Sequence, residues 1–300
     1  MKDWSFVFVT DIHVGSSRSF RYEPSWNENW KNARKKIIDI DPDFLLVGGD
    51  ITRDGNVHKY ELKSIKEDLD SLPFPYHVLP GNMDTGNKYT DVSGPRKERD
   101  DTELNISPDR LQNYIEVFGD LWWSFDHKGV RFSGFCDMLL GSGLSKEEEL
   151  ENWLELQTER SPLETQVWVT HSPPFVESPN EPTFEITNPS QYLSWYYNIN
   201  KPERQKLFKV FEATNTKLVL SGHVHCRKIF SAKGITFYIG PSTAFSQWEE
   251  HWKDGDPRLG FVKFVVEGKE FKDTFIPLDK TSNLSGYGPG GHPDAKKHEE

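Results

Sequence analysis

SFVFVTDIH, Ser5 to His13, decides how the rest of this chain is read. An apolar run of β-branched and aromatic residues, the signature of a buried strand, stops at a carboxylate followed two positions later by an imidazole. The same punctuation recurs downstream. Phe44 to Val47 (FLLV) runs into Gly48, Gly49 and Asp50, and Tyr76 to Leu79 runs into Gly81, Asn82, Met83 and Asp84. Between these strands Trp26, Trp30, Ala33 and Ile37, and then Leu62, Ile65, Leu69 and Leu72, recur at helical spacing. Pro42 closes the first of these periods. The order β-α-β-α-β is the grammar of a layered α/β sheet.

Further along, the residues from Thr85 to Asp109 turn polar and charged with no apolar period, which predicts a long excursion from the fold. A helix over Arg110 to Phe118 follows, then a hairpin of Trp122 to Asp126 and Val130 to Phe135 around His127-Lys128-Gly129. A helix over Lys146 to Leu156 leads into a strand at Val167 to Thr170. Ser172 to Asn200, rich in Pro, Asn and aromatics, reads as a second long loop before a helix at Pro202 to Ala213. Strands are expected at Leu218 to Leu220, Ile235 to Ile239, Phe261 to Val266 and Phe271 to Phe275. With no internal repeat and no boundary before Lys280, the pattern predicts one domain over residues 1–280 and a flexible tail over 281–300.

Composition narrows the roles open to the chain. Its 300 residues suffice for a substantial core, and 10 Trp, 10 Tyr and 20 Phe make the apolar content strongly aromatic. The formal charge of −11 repels polyanions at long range and argues against general nucleic-acid or anionic-membrane binding. Two distant cysteines, Cys136 and Cys226, argue against a disulfide framework or a thiolate metal site, and the absence of an apolar leader or span predicts a cytoplasmic protein. Cys136 and Cys226 read as ordinary thiols, with an oxidation sensor at Cys226, directly after His225, the lesser alternative.

The chemistry-bearing residues all follow strands. Asp11, His13, Asp50, Asn82, His171, His223 and His225 comprise two Asp, one Asn and four His, a hard-oxygen and imidazole donor set suited to Mn, Fe, Zn, Ni or Mg. In layered α/β folds ligands collect beyond the carboxyl ends of strands, so these loops are expected to meet on one edge.

The segments DIH, GGD, GNMD, THS and GHVH, in this order and each after an expected strand, resemble the calcineurin-like metallophosphoesterases. FGDLWWSF, HSPPFVES and YYNINKPERQKLF look most like the branch of that family that includes calcineurin-like phosphoesterase domain-containing protein 1. The resemblance implies a four-layer αββα sandwich of two mixed sheets flanked by helices. It also implies two divalent or trivalent metal ions, one held by Asp11, His13, Asp50 and His225 and the other by Asp50, Asn82, His171 and His223. To catalysis it assigns Asp50, Asn82, Asp84 and His171. The activity implied is phosphoester hydrolysis by in-line attack of a metal-bridging hydroxide on a phosphorylated small molecule or protein. A phosphodiesterase, or a metal-binding scaffold with little turnover, is the alternative.

Met83 departs from the resemblance, because the family usually has His there, contacting the phosphoryl group and helping to protonate the leaving oxygen. A thioether does neither. Asp84, which orients that His in the family, is retained. Arg18, Arg21 and Arg53, near the ligand motifs, are candidates to clamp phosphate, with an ordinary surface arginine the favoured reading of each taken singly, and His292 could fold over the site, with a flexible tail the favoured reading. Trp122, Trp123, Trp195, Tyr196 and Tyr197 could line a cleft, although core packing is the ordinary use of such residues.

Overall fold

A computed structural model describes residues 3–19, 22–96, 100–160, 163, 165–247 and 252–284. The chain runs β1 (Trp4–Val9), α1 (Pro24–Ile40), β2 (Phe44–Val47), α2 (Lys59–Asp70), β3 (Tyr76–Val78), α3 (Asn82–Thr85), α4 (Pro108–Phe118), β4 (Trp122–His127) and β5 (Val130–Phe135). It continues through α5 (Ser145–Glu159), β6 (Thr165–Val169), α6 (Tyr192–Tyr197), α7 (Lys201–Ala213), β7 (Thr216–Ser221), β8 (Lys228–Ala232), β9 (Ile235–Ile239), β10 (Gly260–Glu267) and β11 (Glu270–Pro277). Two sheets result, ordered β11-β10-β1-β2-β3 and β4-β5-β6-β7-β9-β8. Both are mixed: β1, β2 and β3 are parallel, as are β5, β6, β7 and β9, while the edge hairpins β10-β11, β4-β5 and β8-β9 are antiparallel.

Alternation along β1 makes the layers. Phe6 and Phe8 enter the inter-sheet core with Phe44, Leu46, Phe132, Val167, Leu220 and Phe264, where the Phe132 ring lies 5.3 Å from Phe6 and 5.1 Å from Phe44. Val7 and Val9 point the other way, in the cluster formed with Trp30, Ala33 and Ile37 of α1 and Leu62, Ile65 and Leu69 of α2. Period two in the strand and three to four in the helices therefore meet on one seam. On the second sheet Trp168 faces Trp153 of α5 and Phe211 of α7 at 5.9 and 6.0 Å. The architecture is α/β, two mixed sheets flanked by helices, as the sequence leads one to expect.

Among the described strands and α-helices, three escape the sequence pattern. The helical turn α3 begins at Asn82, α6 lies inside the expected loop Ser172 to Asn200, and β8 was not signalled at all. The edge strand β8 buries Lys228 and exposes Ile229, the inverse of the apolar-in pattern, and α6 spans six residues, too short to display a period. The polar stretch after Thr85 is also no simple excursion, because Lys88, Thr90, Asp101 and Ile106 are buried. Among the described residues no helix is long and apolar enough to cross a membrane.

Candidate dinuclear metal centre

Parallel strands carry their loops to a common edge, and the loops are stitched there by backbone bonds. Asp11 N donates to Gly49 O at 3.0 Å, His13 N to Asp50 O at 2.9 Å and Gly222 N to His171 O at 2.8 Å. The backbone is forced at this edge. Asp11, His13, Asp50, His223 and His225 all have φ between 48° and 67°, the left-handed region that non-glycine residues rarely enter. Such conformations cost on the order of 1–3 kcal/mol each and persist where the surroundings dictate them, most often at functional sites. Gly81 makes the approach possible, since a Cβ there would sit 2.2 Å from Asp50 Oδ1.

Two buried clusters form. Asp11, His13, Asp50 and His225 offer ligand atoms within 4.8 Å of one another, as do Asp50, His171 and His223, so Asp50 belongs to both. Asn82 joins the second cluster, its Oδ1 3.2 Å from His171 Nε2. The structure thus brings together all seven residues that the resemblance singles out as ligands.

Hydrogen bonds at the outer nitrogens decide what the rings present inward. His171 Nδ1 bonds Gly48 O at 2.9 Å, His225 Nδ1 bonds Phe245 O at 2.9 Å and His223 Nε2 bonds Tyr196 O at 3.1 Å. A carbonyl only accepts, so each of these nitrogens carries a proton and each ring, when neutral, turns the lone pair of its opposite nitrogen inward. His225 Nε2 lies 3.0 Å from His13 Nε2 and 3.2 Å from Asp11 Oδ1. Two acceptors this close, His225 Nε2 and Asp11 Oδ1, repel each other unless a positive charge lies between them. The donor set therefore fits cations.

The electrostatics point the same way. Burial pushes His13 and His223 down to about 3, which keeps them in the neutral, ligating form. Burial also opposes ionisation of Asp50 and Asp11, but His171 beside Asp50 and His225 beside Asp11 outweigh it and hold both carboxyls below the usual range. For His171 burial disfavours the charge, yet Asp50 draws a proton onto it and raises its pKa well above the ordinary value. The carboxylate field that attracts this proton equally attracts a metal, which would displace it.

Supporting residues surround the clusters. Asp84 is buried and accepts from Gly81 N (2.9 Å), Ile51 N (3.2 Å), Thr52 N (3.0 Å) and Thr52 Oγ1 (2.6 Å), tying the Asp50 loop to the Asn82 turn. Burial and the neighbouring Asp50 push its pKa up to about 7. Asp137 accepts from His171 N at 2.6 Å and Ser172 N at 3.0 Å and so fixes the His171 loop. Nothing in the sequence around Asp137 marked this role.

At the rim, Met83 is half-buried, its backbone N donating to Asp50 Oδ1 at 2.8 Å and its Sδ 3.5 Å from Asn82 Nδ2. Tyr196 Oη lies 3.3 Å from Asn82 Nδ2 and its ring 5.0 Å from His223. Of the five aromatics offered as cleft candidates, Trp195 is buried, Tyr197 is buried against His223, and Trp123 donates to Val78 O. Tyr196 is the one that reaches the Asn82 side chain. Trp26 and Phe245, which no motif indicated, stack at 4.5 Å, and Phe245 packs on both His13 and His225. Arg18 is exposed over the Tyr60 ring, whereas Arg53 reaches Met83. Arg21 and His292 lie outside the described residues. The Cys226 thiol is pushed up to about 11 by burial, which removes the thiolate an oxidation sensor needs.

Known proteins share this frame. Residues 5–227 match the family model for calcineurin-like phosphoesterases. A probable cyclic nucleotide phosphodiesterase of Ruthia magnifica is 30% identical over 267 residues, covering 89% of this chain and 94% of its own. A serine/threonine-protein phosphatase of Danio rerio, CPPED1, is 23% identical over 254 residues, covering 75% and 72%. The fold superposes on purple acid phosphatase from yellow lupin with a TM-score of 0.63 at 13% identity, over 95% of this chain and 53% of that one. With the family model spanning most of the chain and the ligand clusters intact, the protein belongs to the calcineurin-like phosphoesterase family of metal-dependent hydrolases.

Proposed function

We propose that this protein is a two-metal phosphoesterase that hydrolyses phosphomonoesters, either small molecules or phosphoproteins. The observation that carries the reading is the pair of buried clusters sharing Asp50. In it Asp11, His13, Asp50 and His225 would hold one ion, and Asp50, Asn82, His171 and His223 would hold the other. Bound cations, from Mn, Fe, Zn, Ni or Mg, would supply the nucleophile by acidifying water and would neutralise phosphoryl oxygens.

The chain's own groups do the rest. The carbonyls of Gly48, Phe245 and Tyr196 aim the imidazoles, and Asp84 and Asp137 hold the loops that bear Asp50, Asn82 and His171. Phosphate attraction is thus local, which is compatible with a net charge of −11 and favours small or locally recognised phosphoesters over polyanions. We take residues 1–280 as the catalytic domain and the cytoplasm as its place. The relatives compared above are named as a probable cyclic nucleotide phosphodiesterase and a serine/threonine-protein phosphatase, which supports phosphoester hydrolysis without deciding between the two classes.

Diester hydrolysis is the second reading, favoured by Met83, which offers no proton to a leaving alkoxide. The test is turnover of an aryl phosphomonoester and a bis-aryl phosphodiester by protein carrying about two Mn per chain. Monoester turnover that is lost, together with one metal, in Asp50→Asn supports the reading. Fully loaded protein that turns over neither substrate leaves only a metal-binding scaffold.

A further inference from the structure

Arg53 stands three residues after Asp50 on the same loop, and its backbone N donates to Val14 O at 2.9 Å, tying it to the Asp11–His13 segment. Its guanidinium lies 5.2 Å over the Trp26 ring, while Phe245, which packs on His13 and His225, stacks on Trp26. This cation therefore lies over Trp26, which Phe245 links to two ligand imidazoles. Its Nη1 reaches Met83 Sδ at 4.0 Å, and Met83 is itself bonded through its N to Asp50. All of this places a permanent cation at the rim, beside Met83, where the resemblance leads one to expect His.

We infer that Arg53 contacts the phosphoryl group of the substrate and makes the site selective for phosphomonoester dianions over phosphodiesters, an inference that rests on the two-metal reading above. The reason is a count of oxygens. A diester presents two non-bridging oxygens and one negative charge, which two cations satisfy. A monoester presents a third non-bridging oxygen and a second charge, and a guanidinium outside the metal pair, with its fork of donors, suits that oxygen. Arg does not titrate near neutral pH, so the contact persists across the working range.

Arg53→Gln and Arg53→Lys are compared with wild type, each shown to hold two metals per chain and to melt at the wild-type temperature. For Arg53→Gln, kcat/KM on an aryl phosphomonoester should fall by about 10²-fold. The loss on a bis-aryl diester should be at least tenfold smaller, and Arg53→Lys should recover part of the monoester loss. Calorimetry supplies a readout independent of turnover: metal-loaded Arg53→Gln should bind inorganic phosphate about tenfold more weakly, with dimethyl phosphate affected less. Equal losses on both substrates, or unchanged phosphate binding, overturn the inference. If wild type carries two metals yet hydrolyses nothing, the hydrolytic reading fails, and the phosphate titration still decides whether Arg53 contacts phosphate.

Discussion

Met83 occupies a position where a single side chain sets the chemistry. Its backbone N supports Asp50 Oδ1, and its Sδ lies between Asn82 Nδ2 and Arg53 Nη1, so the site keeps its shape while lacking a proton donor there. Because general acid help is worth about 10²–10⁴-fold, Met83→His should raise hydrolysis of alkyl phosphomonoesters by about 10²-fold or more and change aryl phosphates much less. The comparison of alkyl and aryl rates in the two proteins checks this, and equal gains on both would mean that the imidazole acts only as an added charge. Asp84 would have its oriented partner restored, but four hydrogen bonds from Gly81, Ile51 and Thr52 already occupy it.

At the scale of elements, the two long connections lock together. Lys88 is buried, donates to the carbonyls of Trp195 and Asn198 and to Asn200 Oδ1, and lies 4.5 Å from the centre of the Trp195 ring. Tyr192 Oη donates to Asp101 Oδ1 at 2.8 Å across the same junction. Through α6 this junction carries Tyr196, whose carbonyl holds His223. Burial pushes the Lys88 ammonium down to about 7 from an ordinary 10.5. Between those values the unfolded chain binds the extra proton, so this group's contribution to stability rises with pH through that window. Thermal melts at pH 7 and pH 9.5 should show wild type gaining stability relative to Lys88→Met as pH rises. A pH-independent difference would place the lysine in water.

For the whole molecule, the site closes the edge where two sheets meet. Thr10 bridges to Ser242, and Asp11 Oδ2 accepts from His223 N at 2.9 Å, so β1 of one sheet and the loop after β7 of the other meet at the ligands. Metal binding should therefore report on global stability. Cation at about 1,000 times Kd should add about 4 kcal/mol for one site, a rise of about 6 °C in Tm for a chain this long. A chelator should reverse it. Calorimetric melts of wild type and Asp50→Asn test this, since the variant loses the carboxylate common to both clusters and should show a smaller rise.

The run from Ser5 to His13 determined much by itself. Apolar alternation in β1, helical periods in α1 and α2, and ligands after each strand are local properties, because burial of one face leaves its period in adjacent residues. The order of motifs identified all seven residues that meet in the two clusters. What only the tertiary structure decided involves residues distant in sequence: the carbonyl of Phe245 on His225, Asp137 under His171, Tyr196 beside Asn82, and Arg53 stacked on Trp26 and touching Met83. None of these contacts leaves a period or a spacing, since each is set by how the loops fold over the edge of the sheets.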